Sequence, residues 1–233
     1  MENISIIVLL LIGLNVLISW KGFNDYSFFE KYKFQVGPII NRKEHYRILS
    51  SGFLHVDTMH LIFNMMTLYF FSDFLIQFLA SPKGAYFGDY SHSNMNLGYG
   101  MFLLIYFASI LGGNILSLFM HKNQPYYSAV GASGGVSGIL FATIAAFPDL
   151  ELRIFFAIPI KAWIFGILYL GYSVYGMKNN VGNIGHAAHL GGAVVGLASV
   201  ILYFPTLLEY HLIYVLGMLI PIGALGYLMV KNK

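Results

Sequence analysis

No cysteine occurs in the 233 residues, which excludes disulfides, thiolate metal sites and a cysteine nucleophile. Charge is almost as scarce. Only 10% of the residues are Asp, Glu, Lys or Arg, where a soluble domain carries about 25%. The net charge of +3 is small. Without a Lys/Arg-rich run interleaved with aromatics, nothing points to nucleic acid as a partner. No basic stretch precedes the first apolar run, and no small-residue cleavage site follows it at Ser19-Trp20-Lys21. That run reads as a retained span rather than a secretory leader. Alternating segments of about ten residues, which a membrane β-barrel needs, are missing. So is any His-Glu-x-x-His zinc pattern.

What remains is apolar: 58% of the chain, with a mean hydropathy of +0.69. So little polar material cannot cover a water-facing surface, and lipid is the expected solvent. Seven segments suit spans of about 20 residues. They lie near 4–20, 57–80, 97–120, 129–147, 154–176, 187–204 and 210–230. In lipid the backbone must satisfy itself, so the expected fold is all-α: one polytopic helical bundle, residues 1–233, with no repeat and no second domain. A long first loop, 21–56, mixes Lys31, Lys33, Arg42 and Arg47 with Phe28, Phe29, Tyr32 and Tyr46, a composition suited to the headgroup region. Residues 81–96 read as polar and flexible. Residues 176–185 form a short connection rich in Gly and Asn, a candidate gate for substrate and water.

Three constellations carry chemistry. Gly131-Ala132-Ser133-Gly134-Gly135-Val136-Ser137-Gly138 stands where the fourth span begins. Small neighbours leave a serine hydroxyl open to approach, and unpaired N–H groups of a first helical turn can face a developing oxyanion. The same glycines could equally be a packing face for another helix. His60 and Asn64, four residues apart, share one helix face and can both donate to a negative oxygen. An interhelical hydrogen-bonded pair is the plainer reading. His189 opens the sixth span, with Gly192 and Gly196 on the same side. If those glycines dock on the fourth span, His189 reaches Ser133; otherwise it is an interfacial capping residue.

Together the three motifs resemble the rhomboid intramembrane proteases, over roughly residues 40–205. Tyr46-Arg47 is similar to the Trp-Arg pair of that family's first loop, with Tyr for Trp. The resemblance implies a six-helix core, to which 210–230 adds a seventh, C-terminal span. It implies a Ser133–His189 dyad cleaving single-span membrane proteins. His60, Asn64 and the Ser133 N–H would hold the oxyanion, with Gly131, Gly134, His55, Gly192 and Gly196 in support. It implies no cofactor and no metal.

One departure stands out. The family places Tyr or Phe four residues after the nucleophile, against the histidine ring; here that position is Ser137. The support must come from elsewhere, or the ring is held more loosely. Ser137 also lies in a second Gly-x-Ser-Gly, but Ser133 matches the family register and is nearer the aqueous end.

His55 is expected to bond backbone at the junction of loop and helix. His186, one turn from His189, is open between a cavity residue and an interface residue. Asp57 and Asp73 complete no triad. The positive-inside rule places the basic first loop in the cytoplasm, whereas the family places it outside; the family is followed here. A bacterial plasma membrane is expected from the lack of an organelle-targeting segment. Three other readings compete. One is a metal-dependent hydrolase built on His55, His60, His186 and His189. A second is a relative that binds transmembrane clients without cutting. A third is a transporter or channel, which would need mid-membrane charges that are not evident.

Overall fold

The computed structural model describes residues 4–89, 91–154, 157–179, 181–182 and 184–231. Helix α1 (Ile6–Asn24) leads into a first loop that is itself structured. The loop holds α2 (Tyr26–Tyr32), strand β1 (Phe34–Gln35), α3 (Val36–Asn41), α4 (Arg47–Ser50) and a 3-10 turn over Ser51–Phe53. Helix α5 (Thr58–Ala80), the short α6 (Pro82–Phe87) and α7 (Met95–Met120) follow. Strand β2 (Ser128–Ala129) precedes α8 (Ser133–Ala146). The chain continues through β3 (Glu151–Ile154), β4 (Ile158–Lys161), α9 (Ala162–Asn179), α10 (His186–Tyr203) and α11 (Leu207–Lys231). Five of the described helices, α1, α5, α7, α10 and α11, are long and apolar enough to cross a membrane.

Helix starts are written locally. Asp57 accepts the His60 N–H at 2.8 Å to begin α5, and Asn94 accepts the Leu97 N–H at 3.1 Å to begin α7. Such side chains satisfy donors that a helix leaves unpaired in its first turn. Helix α11 breaks regularity at His211 (φ −123°, ψ 16°) and contains Pro221.

Helix α8 is the centre of the bundle: every residue from Gly134 to Ala146 is buried. It packs against α5, α7 and α10. Lipid tails are as apolar as leucine, so helices gain little from hydrophobicity and associate through close fit. Glycine makes that fit possible. A Cβ at Gly192 or Gly196 of α10 would overlap the carbonyl oxygens of Gly134 and Gly138 of α8. On the other flank, a Cβ at Gly135 would stand 2.8 Å from the Tyr106 ring of α7.

The 14 residues of α8 span about 21 Å, less than the roughly 30 Å hydrocarbon layer. At least one end must therefore lie within the layer. The C-terminal end adjoins Asp149, Glu151 and Arg153, all exposed and charged.

Both boundaries of the fifth span differ from expectation. The fifth span does not begin at 154. Strands β3 and β4 pair antiparallel, Glu151 opposite Lys161 and Ile154 opposite Ile158, and α9 starts only at Ala162. Pro159 lacks an N–H and disfavours a helix interior, while residues 155 and 156 lie outside those described. The 176–185 connection is also shorter than expected, because α9 runs to Asn179; Asn180 and Asn183 are likewise outside the described residues.

The first loop is anchored by a buried arginine. Arg47 Nη1 donates to the carbonyls of Glu30 (2.7 Å) and Lys33 (2.9 Å), and Nε pairs with Glu44 at 2.5 Å. Strand β1 then pairs with β2, Phe34 opposite Ala129 and Gln35 opposite Ser128. The loop thereby fixes the approach to α8, five residues before the serine.

Candidate active site

The turn into α8 is built around glycine. Gly131 has φ +140°, a conformation that side chains resist, and its N–H donates to the Ser51 carbonyl at 3.0 Å. A Cβ placed there would stand 2.8 Å from His60 Cε1 and 3.5 Å from Ser133 Oγ. The absent side chain is thus what lets the His60 ring lie beside the serine.

His55 braces the same turn. Its Nε2 accepts the Ala132 N–H at 3.3 Å, which leaves Nδ1 to donate to Ser19 Oγ at 2.8 Å; Ser19 Oγ in turn donates to the Phe53 carbonyl at 3.0 Å. The backbone that His55 bonds is that of the residue before Ser133, not that of its own junction. The His55 and His60 rings meet edge to face, centroids 5.0 Å apart. His60 Nδ1 is buried without a partner among the described residues, so one nitrogen of the ring has capacity to spare. Asn64, one turn on, is buried and donates one amide hydrogen to the His60 carbonyl at 2.9 Å. Its second amide hydrogen is uncommitted by that bond.

His189 lies in the first turn of α10, its N–H held by the Gly185 carbonyl at 3.1 Å. The docking of Gly192 and Gly196 on α8 brings this end of α10 down onto the start of α8: the Ala188 carbonyl would stand 3.4 Å from a Cβ at Gly134. Ser133, His189, His60 and Asn64 all line one cavity of about 720 Å³. No hydrogen bond joins Ser133 Oγ to the His189 ring among the described residues. Catalytic hydrogen bonds are often long before substrate binds.

The cavity continues from these polar groups along α8 past Val136 and Leu140, toward Leu152 of β3. Phe63, Phe70 and Phe74 of α5 form one wall and Phe165 of α9 the other. It is polar at the Ser133 end of α8, apolar over its middle, and meets the charged Glu151 and Arg153 beside Leu152.

Sequence reasoning missed Tyr169. It enters the cavity from α9. Its ring stacks on His189, centroids 5.9 Å apart and planes within 24°. Its hydroxyl lies 2.7 Å from Ser137 Oγ. Twenty residues separate Tyr169 from His189 and no motif marks it; the one available signal was the serine standing where the family has a ring.

His186 points away from the serine. Its Nε2 donates to the Val181 carbonyl at 3.0 Å and its ring meets Tyr172 edge-on at 5.3 Å. Among the described residues no three His, Asp or Glu side chains converge as metal ligands would. Asp57 is committed to capping α5, and Asp73 accepts the Ser5 N–H at 3.4 Å.

Residues 42–206 match the Rhomboid domain. The chain is also 27% identical over 202 residues to RHOMBOID-like protein 12, mitochondrial, of Arabidopsis thaliana, covering 80% of this chain and 54% of that protein. It is 27% identical over 198 residues to Rhomboid protein 1, mitochondrial, of Saccharomyces cerevisiae, covering 82% and 51%. The chain spans about half the length of these relatives. They overturn the expected bacterial plasma membrane, since both are mitochondrial by name and come from eukaryotes. That expectation had rested on a missing segment, and a missing segment specifies no membrane. Sequence motifs, helical architecture and the match over 42–206 agree that this chain belongs to the rhomboid family.

Proposed function

We propose that the chain is a serine-type endopeptidase that cleaves single-span membrane proteins within the bilayer. The observation that carries this reading is the convergence of Ser133, His189, His60 and Asn64, from three separate helices, on one cavity. Ser133 Oγ attacks the scissile carbonyl while His189 takes its proton. His60, Asn64 and the Ser133 N–H donate to the oxyanion. His189 then protonates the leaving amine; water next attacks the acyl-enzyme, with His189 taking its proton and returning it to Ser133 Oγ as the bond from Oγ to the acyl carbon breaks. A helical substrate hides its carbonyls in its own hydrogen bonds, so a segment must unwind before attack. The apolar length of the cavity suits the part that stays helical.

The test is cleavage of a single-span protein by the purified chain in liposomes. The native chain cuts, in the presence of chelator, and Ser133→Ala does not. If Ser133→Ala cuts and Ser137→Ala does not, the nucleophile is misassigned. If both cut normally, the serine mechanism fails. A native chain that holds such proteins and cuts none is a client binder.

A further inference from the structure

A histidine that works without a carboxylate still has to be aimed. In a triad, a third side chain hydrogen-bonds the base and fixes its ring. Here the His189 ring makes no side-chain hydrogen bond among the described residues, so packing alone must orient it. Two neighbours do so. His186 meets the ring edge-on at 6.5 Å, and Tyr169 covers its face at 5.9 Å with planes 24° apart.

Tyr169 is itself immobilised. Its hydroxyl is tied to Ser137 Oγ at 2.7 Å. Its ring packs on Phe141 of α8 at 5.6 Å and Phe165 of α9 at 5.9 Å. Both Ser137 and Phe141 belong to the buried core helix that carries Ser133. The tyrosine is therefore registered to the nucleophile's helix at two points one turn apart, although it grows from α9.

We propose that Tyr169 is the positioning residue for His189, a ring supplied across the cavity by α9 and fastened to α8 by Ser137. This rests on the Ser133–His189 reading above. It accounts for Ser137 as well: a small hydroxyl there leaves room for the incoming ring and holds its far end. Aromatic contact of this kind keeps an imidazole in one plane, so that Nε2 faces the serine instead of sampling rotations. Because α9 is also a wall of the cavity, the aim of His189 depends on where that wall stands.

The test uses the full chain and a small fluorophosphonate, which phosphonylates an activated serine and needs no transmembrane segment to enter. Phosphonylation rate is read alongside kcat and KM for a single-span substrate. Tyr169→Leu removes the ring and is expected to lower the phosphonylation rate and kcat about ten- to a hundredfold, as small misplacements of catalytic groups do, with KM within about twofold. Tyr169→Phe keeps the ring and retains most of the rate. The pair Tyr169→Ala with Ser137→Tyr returns a ring from α8 itself and recovers activity relative to Tyr169→Ala alone. Native rates in Tyr169→Leu overturn the proposal, as do equal losses in Tyr169→Leu and Tyr169→Phe. A raised KM with unchanged phosphonylation also overturns it, because the tyrosine would then serve only the substrate. If Ser133→Ala is still phosphonylated at the native rate, the underlying dyad fails instead, and the two failures are separate.

Discussion

Gly192 of α10 lies against the carbonyl of Gly134 of α8 with no room for a methyl group between them. Gly196 and Gly138 repeat the contact one turn further along. These two contacts set the distance between the helices that bear His189 and Ser133. Gly192→Ala must push α10 outward. The expected cost is about 1–3 kcal/mol, the range for overpacking a tight interior, with loss of cleavage. Gly171→Ala is the control: nothing stands within 4 Å of a Cβ there, and alanine favours the helix by up to about 1 kcal/mol. Thermal unfolding in detergent separates the two.

His60 and Asn64 are expected to act on the oxyanion rather than to hold the fold together. His60→Ala and Asn64→Ala should each lower kcat by about 10²–10³, as loss of one such donor does elsewhere, with little change in KM. A loss confined to KM would move both residues from the reacting centre to substrate binding.

Gly131 tests the turn that presents the serine. Gly131→Ala forces a side chain into φ +140° and against the His60 ring. Cleavage should fall about tenfold or more. Circular dichroism should be unchanged, because the helices themselves are untouched. Native turnover in this variant would mean that the turn tolerates rearrangement.

The first-loop anchor has a pH signature. The hydrogen bond from Arg47 holds the Glu44 carboxyl below its ordinary value of 4.5, against a smaller opposing push from desolvation. A carboxyl lowered in the folded state contributes stability above its unfolded pKa and loses it as pH falls through the folded one. Thermal midpoints should therefore decline below about pH 4.5. The decline should be shallower in Glu44→Gln. Arg47→Lys should lower the midpoint at neutral pH, because an ammonium cannot reproduce the three-way guanidinium contact to Glu44, Glu30 and Lys33. Identical pH curves for the native chain and Glu44→Gln would remove the carboxyl from the account.

The sequence made most of the bundle legible and part of the site. The long apolar runs give α5, α7 and α10 within two residues at each end, because lipid enforces continuous apolar helices. The β3–β4 pair was hidden: Ile154 to Ile160 is apolar enough to open a span, and a short apolar run does not declare helix or strand. The elements inside the first loop were hidden too, since Arg47 organises them through backbone carbonyls that no side-chain pattern records. The motifs at 60–64, 131–138 and 189–196 stood out because glycine spacing and inward polar groups are costly in lipid unless they meet something. Tyr169 did not stand out. An aromatic in an apolar helix is ordinary, and its meaning comes only from Ser137 and His189 across the cavity.

The central claim is that Ser133 is the activated nucleophile, and the most direct measurement is where a fluorophosphonate attaches. The native chain in liposomes is labelled, digested and read by mass spectrometry. The account predicts one phosphonylated residue, Ser133, with labelling lost in His189→Ala and turnover falling in proportion to label. Attachment at Ser137, or full turnover by chain already labelled at Ser133, would contradict it.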